Sequence, residues 1–242
     1  MTTPAPPWQR AARSRPAKPP LTRPAKPPLS RQAVVEAAMT VLTAEGLPAM
    51  SMRRVAQELR TGPASLYAHV SNRYELEDLV YDRIVGEVPL PEPDPARWQE
   101  QLTQLMRDTL AAFARYPGAA RLTLARVPFT PNSLVYLEVM LALLRAGRLS
   151  DRTASFGIDL LSLYVSATGI EDTIHLEQGP TEEAVGERFA RMRGYLQSLP
   201  ADRFPNVVSM AGPLLAGGGD DRFEFGLDIL VRGLAATVTQ AR

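Results

Sequence analysis

The stretch TGPASLYAHVSN, residues 61 to 72, restricts the fold more than any other part of the chain. Gly62-Pro63 stops whatever helix precedes it, because Pro63 has no backbone N–H to donate and its ring clashes with a helix running into it. Ser71-Asn72 is a second boundary, where a further helix starts at about Asn72. Between the two lie barely two turns of helix, residues 63 to 70, and an isolated helix that short is unstable in water. It needs neighbours. Leu66 and Val70, one turn apart, supply its inward face and leave Ser65, Tyr67, Ala68 and His69 pointing outward.

The neighbours are legible on both sides. Ser30 is a good N-cap for RQAVVEAAMTVLTAEG, whose stripe of Val34, Ala38, Val41 and Leu42 faces inward and which Gly46 ends. Ser51 caps MRRVAQEL, with Val55, Ala56 and Leu59 inward, and a further helix is predicted from about 72 to 86. Helix, tight turn and short helix make a helix-turn-helix, in which the first helix braces on the DNA backbone and the second lies in the major groove. Ala56 is small enough for close helix approach. Outward hydroxyls suit phosphates and base edges, and an outward Ala can meet a thymine methyl.

SMRRVAQELRTGPASLYAHVSNRYELEDLV, residues 51 to 80, resembles the DNA-binding signature of the tetracycline-repressor (TetR) family of bacterial regulators. The marks are R-x-V-A running into Leu59, then G-P-A-S-L-Y-x-H-V, then a basic residue just before x-E-L. FEFGLDILVRGL, residues 223 to 234, is similar to the last helix of a branch of that family with an all-helical regulatory domain. The resemblance spans about 30 to 242 and is dense in its first third. It implies that Arg53 touches phosphate or a base, and that Gly62, Pro63, Ala64 and Ser65 set the recognition helix against the groove. It further implies that Tyr67 donates its hydroxyl to the DNA backbone, that His69 lies near phosphate and that Arg73 clamps one. Read from the residues alone, Tyr67 is equally a packing aromatic, His69 a cap and Arg73 a solvated helix start. The family usually has Gly where this chain has Arg60, so the turn is expected to be right-handed or to move its left-handed residue to Gly62.

PLPEPDP, residues 89 to 95, admits no helix and marks a boundary between a reading module, 30 to 86, and a larger part, 87 to 242. No strand pattern follows. Helices are predicted at about 95 to 115, 117 to 126, 131 to 146, 151 to 178 and 181 to 198, then an irregular Pro-containing segment and a final helix, 221 to 240. The fold class is all-α. The helices at 151 to 178 and 221 to 240 carry more apolar surface than a monomer buries easily, and Gly226 and Gly233, beside Phe223 and Leu230, would admit a partner helix. A two-fold homodimer would present two recognition helices to a palindromic double-stranded operator. The resemblance implies that this part dimerises and holds a small-molecule effector. Tyr164, Thr168, Glu171 and His175 form one polar stripe suited to orienting such a molecule or to leading the helix into solvent. Met106, Phe113, Tyr136 and Met140 are further pocket candidates that fit a plain core equally well.

Composition excludes other chemistries. With no cysteine there is no disulfide, thiolate metal site or cysteine nucleophile, and His69 and His175 lie too far apart in sequence to suggest a metal site. No nucleophile has a base nearby, Glu182 and Glu183 point apart on a helix, and AGGGDD at 216 to 221 lacks the Lys-Ser/Thr of a phosphate loop. No metal, cofactor or enzymatic activity is expected. Asp159 and Glu138 interrupt the two best apolar runs, so no membrane association and a cytoplasmic location are expected. Charge is uneven: residues 1 to 31 hold seven Arg or Lys and no acid, 32 to 86 five Arg against seven acids, and the remainder fifteen Arg against nineteen acids. Residues 1 to 29, with the repeat RPAKPPLT and RPAKPPLS, read as a disordered Pro/Arg-rich arm able to meet a polyanion. The reading is a dimeric, effector-controlled DNA-binding repressor; the alternative is a helical ligand-binding or adaptor protein that does not read DNA.

Overall fold

Ser30 Oγ accepts the backbone N–H of Ala33 at 3.1 Å and opens α1, Arg31–Glu45. Ser51 Oγ does the same for Arg54, at 3.2 Å, at the start of α2, Met52–Glu58. Pro63 occupies the first position of α3, Pro63–Leu66, and Asn72 Oδ1 takes the Glu75 N–H at 2.9 Å to open α4, Arg73–Val85. α3 is shorter than the eight residues predicted: beyond Leu66 the chain continues in turns, held by His69 N–H and Val70 N–H to the Leu66 carbonyl at 2.9 Å each. Val34, Val41, Leu42, Val55, Ala56, Leu66 and Val80 are fully buried between these helices. Each large aliphatic side chain so buried contributes roughly 1.5–3 kcal/mol, which is what holds a helix of one turn in place.

The computed structural model describes residues 29–123, 129–178, 182–216 and 218–240, with side chains except at 175–178, 182–185 and 239–240. The expected arm therefore lies outside the described residues apart from Leu29, which packs against the core. Among the described residues every regular element is helical: α5 Trp98–Ala114, a 3-10 turn Ala119–Thr123, α6 Pro131–Ala146, α7 Asp151–Gln178, α8 Glu182–Gln197, α9 Pro205–Ser209, α10 Ala211–Leu214 and α11 Gly219–Gln240.

Several boundaries differ from expectation for local reasons. Asp94 organises a turn rather than a helix start, accepting Ala96 N–H at Oδ1 (2.9 Å) and Arg97 N–H at its carbonyl (3.0 Å), so α5 begins at Trp98. The helix expected at 117 to 126 is a 3-10 turn over 119–123, entered through Gly118 at φ 81°; 124–128 lie outside the described residues. The supposedly irregular segment holds the short helices α9 and α10, the first opened by Pro205. α7 packs on α5, on the 3-10 turn and on α11, while α6 packs on α4, α5 and α7. Contrary to expectation, Asp159 does not break the apolar run: by length and composition Asp151–Ile174 of α7 is long and apolar enough to cross a membrane.

Candidate nucleic-acid interface and effector cavity

α2 ends in two backbone bonds, Arg60 N–H to Gln57 O and Thr61 N–H to Ala56 O, both 2.9 Å, around a residue in the left-handed region. That residue is Arg60 itself, at φ 52°, while Gly62 is extended at φ −82°, ψ 150°. The expectation of a right-handed turn, or one shifted to Gly62, is therefore corrected. The paired bonds form a Schellman motif, whose closing residue must be left-handed whatever its side chain. Gly62 serves instead as the extended N-cap of α3, accepting Ser65 N–H at 3.0 Å.

Leu66 and Val70 anchor the short segment in the core, and Ala64, Ser65, Tyr67 and Ala68 lie on the opposite, exposed side, with Tyr67 53% exposed. Gly62 and Pro63 are exposed and His69 is half-buried. Arg53, on the first turn of α2, is exposed, whereas its neighbour Arg54 is tied to Glu45 and Glu58. Arg73 is half-exposed and reaches Glu77 at 2.7 Å, one turn along α4. Glu75 accepts the Ser71 N–H at 2.6 Å and pairs with Arg31. The Ser71 amide, with Arg31 as a lesser contributor, holds the Glu75 carboxyl below the usual carboxylate range. The start of α4, the end of the recognition segment and the start of α1 are thus locked together.

A cavity of about 410 Å³ opens between α4, α5, α6 and α7. Met106, Phe113, Tyr136 and Met140 line it, together with Tyr81, Thr109, Phe129, Ser133 and Ser166. Tyr81 and Phe113 rings lie 6.4 Å apart, and Tyr136 OH meets Thr109 Oγ1 at 2.8 Å. Thr109 spends its single proton on the Leu105 carbonyl at 2.7 Å, so Tyr136 is the donor of that pair and its oxygen keeps a lone pair for a ligand. Burial, reinforced by Asp82, pushes the Tyr81 phenol up to about 12, and burial raises Tyr136 as well. Both are neutral at physiological pH. Asp159 is the one charged residue of the described lining.

The polar stripe of α7 lies elsewhere. Tyr164 stacks on Phe223 at 5.6 Å and donates to the Arg222 and Phe223 carbonyls at 3.0 and 3.1 Å, which ties α7 to α11. Thr168 bonds back to the Tyr164 carbonyl at 3.0 Å, and Glu171 is exposed; none of the three lines the cavity. His175 lies on α7 with its side chain outside the described residues. Sequence reasoning missed Tyr81, Thr109, Ser133 and Ser166. The available signal was a polar residue on the same helical face as the two aromatic candidates, as in Met106-Thr109-Phe113 and Ser133-Tyr136-Met140.

Gly226 is not open to a partner helix as expected. A Cβ there would sit 2.2 Å from the Tyr164 hydroxyl, so the missing side chain makes room for Tyr164 of the same chain, and Phe223 is core. Gly233 has nothing within 4 Å. On α7 and α11 the large apolar residues left exposed include Phe156, Leu160 and Leu163 on α7 and Phe225 (71% exposed) and Ile229 on α11.

A capped reading head of four helices, α1 to α4, with an exposed recognition segment, joined to a helical body with a cavity between them, is the architecture of a ligand-responsive helix-turn-helix DNA-binding protein. Residues 34–77 match the sequence pattern of bacterial regulatory proteins of the tetR family, and 90–238 that of the tetracyclin repressor-like C-terminal domain. The chain belongs to the tetracycline-repressor family of transcriptional regulators. It is 32% identical to the HTH-type transcriptional repressor DrrR1 of Streptomyces coeruleorubidus, over 97% of this chain and 85% of that protein. Among solved structures it is similar to the Streptomyces coelicolor TetR family protein ActR. The complex with actinorhodin gives a TM-score of 0.80 at 47% identity, covering 87% of this chain and 97% of that one. The complex with (S)-DNPA gives 0.78 at 45%, covering 87% and 98%.

Proposed function

We propose that the protein is a cytoplasmic homodimeric repressor whose hold on a palindromic operator is released by a small aromatic, hydroxyl-bearing effector. Residues 30–86 read DNA, with Arg53, Gly62 to Ser65, Tyr67, His69 and Arg73 at the interface, and 87–242 dimerise and bind the effector. The carrying observation is that one wall of the cavity, α6, is bolted to α4, the last helix of the reading head, which itself contributes Tyr81 to the cavity. Asp82, next to the cavity residue Tyr81, accepts Asn132 N–H at 2.8 Å and Ser133 N–H at 3.1 Å, and Asn132 Nδ2 donates a further bond to Asp82 Oδ2 at 3.1 Å. Ser133 itself lines the cavity. A ligand that displaces α6 or Tyr81 therefore moves α4, and with it the recognition segment capped on α4. Control requires only that the ligand bind the two arrangements unequally: a hundredfold preference corresponds to about 2.7 kcal/mol.

The lining supports the ligand class. Four aromatic rings face an apolar volume, the Tyr136 oxygen offers an acceptor, and the ActR structures hold actinorhodin and (S)-DNPA. The dimer is supported by the exposed apolar face of α7 and α11, larger than a scatter of single surface hydrophobics. The test is titration of the DNA-bound protein with actinorhodin, beside a Met140→Trp variant that fills the cavity. Release of the wild type, with the variant still bound to DNA and insensitive, is expected. Equal release of both would place the effector outside this cavity.

A further inference from the structure

Nothing in the packing of α7 calls for Asp159. It is the one charged residue between Thr153 and Ile170, and aspartate is a poor helix former in a helix interior. Among the described residues it makes no ion pair and no side-chain hydrogen bond. Arg152, two turns earlier, lies instead over the Phe156 ring, 5.2 Å from its centroid. What Asp159 does border is the cavity. Ser155, Asp159 and Ser162 follow one another at i, i+4 and i+7, so they share one face of α7, and all three line the cavity while exposed to solvent. They stand at its mouth. Neither serine hydroxyl has a hydrogen-bond partner among the described residues. Ser166, one turn deeper, differs: it donates to the Ser162 carbonyl and accepts from Thr123, both at 2.6 Å. Further in, the lining turns apolar with Met106, Phe113, Met140 and Val165, all buried. The cavity is graded, apolar inside and anionic at the rim.

Resting on the reading of this cavity as the effector site, we propose that Asp159 selects effectors that carry a protonated amine. The aromatic body of such a ligand enters the apolar interior, and its ammonium stops at the mouth, donating to the Asp159 carboxylate. An ammonium has three N–H donors and no acceptor, and the mouth offers three acceptor groups in two turns of helix, Asp159 with Ser155 and Ser162 on either side. A carboxylate at that position repels an anionic headgroup. It is also alone, since no second acid lines the described cavity and no described cluster of acids and histidines could hold a metal ion. A neutral hydroxyl can bond to the same oxygen, but a hydrogen bond with both partners charged is stronger. Because Asp159 is solvent-exposed, the pair adds little to total affinity, which comes from burying the rings, and decides instead which headgroup is preferred.

The test uses the full chain at neutral pH and three fluorescent probes that share one three-ring body: aminomethylanthracene, a cation; hydroxymethylanthracene, neutral; and anthracenecarboxylate, an anion. Their binding is titrated against the wild type, Asp159→Asn, Glu138→Gln and Met140→Trp, with each fold checked by helical circular dichroism. Glu138 is exposed on α6 and does not line the cavity, so its variant controls for the loss of one negative charge. The wild type and Glu138→Gln are expected to prefer the amine to the alcohol about tenfold and to bind the carboxylate more weakly than either. Asp159→Asn should weaken the amine alone, bringing it within about twofold of the alcohol, and high salt should narrow the wild-type preference. Met140→Trp should bind none of the three. An amine preference equal in wild type and Asp159→Asn, or absent from both, would overturn the proposal; loss of the alcohol from Met140→Trp would then leave the cavity reading standing without it. Probes bound alike by wild type and Met140→Trp, or by neither, would overturn the cavity reading and the proposal together.

Discussion

Replacing Arg60 by glycine should make the protein more stable than replacing it by alanine, which reverses the order that holds inside a helix. Both substitutions remove the same side-chain interactions, so their difference reports on the backbone alone. At φ 52° a residue with a Cβ is strained by about 1–2 kcal/mol, and that cost is absent for glycine. Glycine loses more chain entropy on folding, about 0.5–1 kcal/mol relative to alanine. The difference leaves glycine ahead by about 0.5–1 kcal/mol. The Thr61 N–H to Ala56 O and Arg60 N–H to Gln57 O bonds keep the turn left-handed in either variant, so the strain has no local escape. Urea unfolding of the two variants at a single protomer concentration measures the gap, with the Glu138→Gly and Glu138→Ala pair on the exposed face of α6 as reference. There alanine should win by a similar amount. If alanine also wins at position 60, the turn is not left-handed in solution and the account of how α3 is aimed from α2 fails.

Gly226→Ala should cost about 1–3 kcal/mol in the same assay, because the new Cβ falls 2.2 Å from the Tyr164 hydroxyl, while Gly194→Ala in α8, with nothing within 4 Å, should stabilise by about 0.5–1 kcal/mol. Phe225→Glu should convert a dimer to a folded monomer, seen by light scattering with the helical circular dichroism retained, since that ring is exposed beside Ile229 on α11. Glu75 is favoured as the anion in the folded state, so its contribution is present above the ordinary carboxylate range and is lost as pH falls through the lowered folded value. Glu75→Gln should therefore be less stable than wild type at pH 7, with the gap closing in an acid titration.

Elements specified by adjacent residues were readable in the chain. Ser30 and Ser51 are caps whose partners lie three residues on, and Leu66 and Val70 are buried because no other face of so short a helix could be. Arg60 was misread because the residue type argues against a left-handed turn, whereas the turn is dictated by two backbone bonds that α2 and the entry to α3 require together. α7 shows the same limit at longer range. Its polar stripe looks like a ligand surface until Tyr164 is seen to place its proton on carbonyls of α11, 58 and 59 residues away. Gly226 was ambiguous for the same reason, since glycine records a close approach without naming what approaches. The cavity draws on α4, α5, α6 and α7 at once; periodicity sets Thr109 beside Phe113 and Ser133 beside Tyr136 on one face of each helix, but not which other helices share that space.

The central claim is that the segment from Gly62 to Arg73 reads DNA. Selection of bound duplexes from a random pool at about 0.15 M salt, run in parallel with a Tyr67→Ala variant, addresses it most directly. Tyr67 is exposed, so its loss should leave the fold intact. The account predicts a palindromic consensus with half-sites one helical turn apart, enriched by the wild type and not by the variant. Enrichment of the same consensus by both proteins, or of none by either, would contradict it.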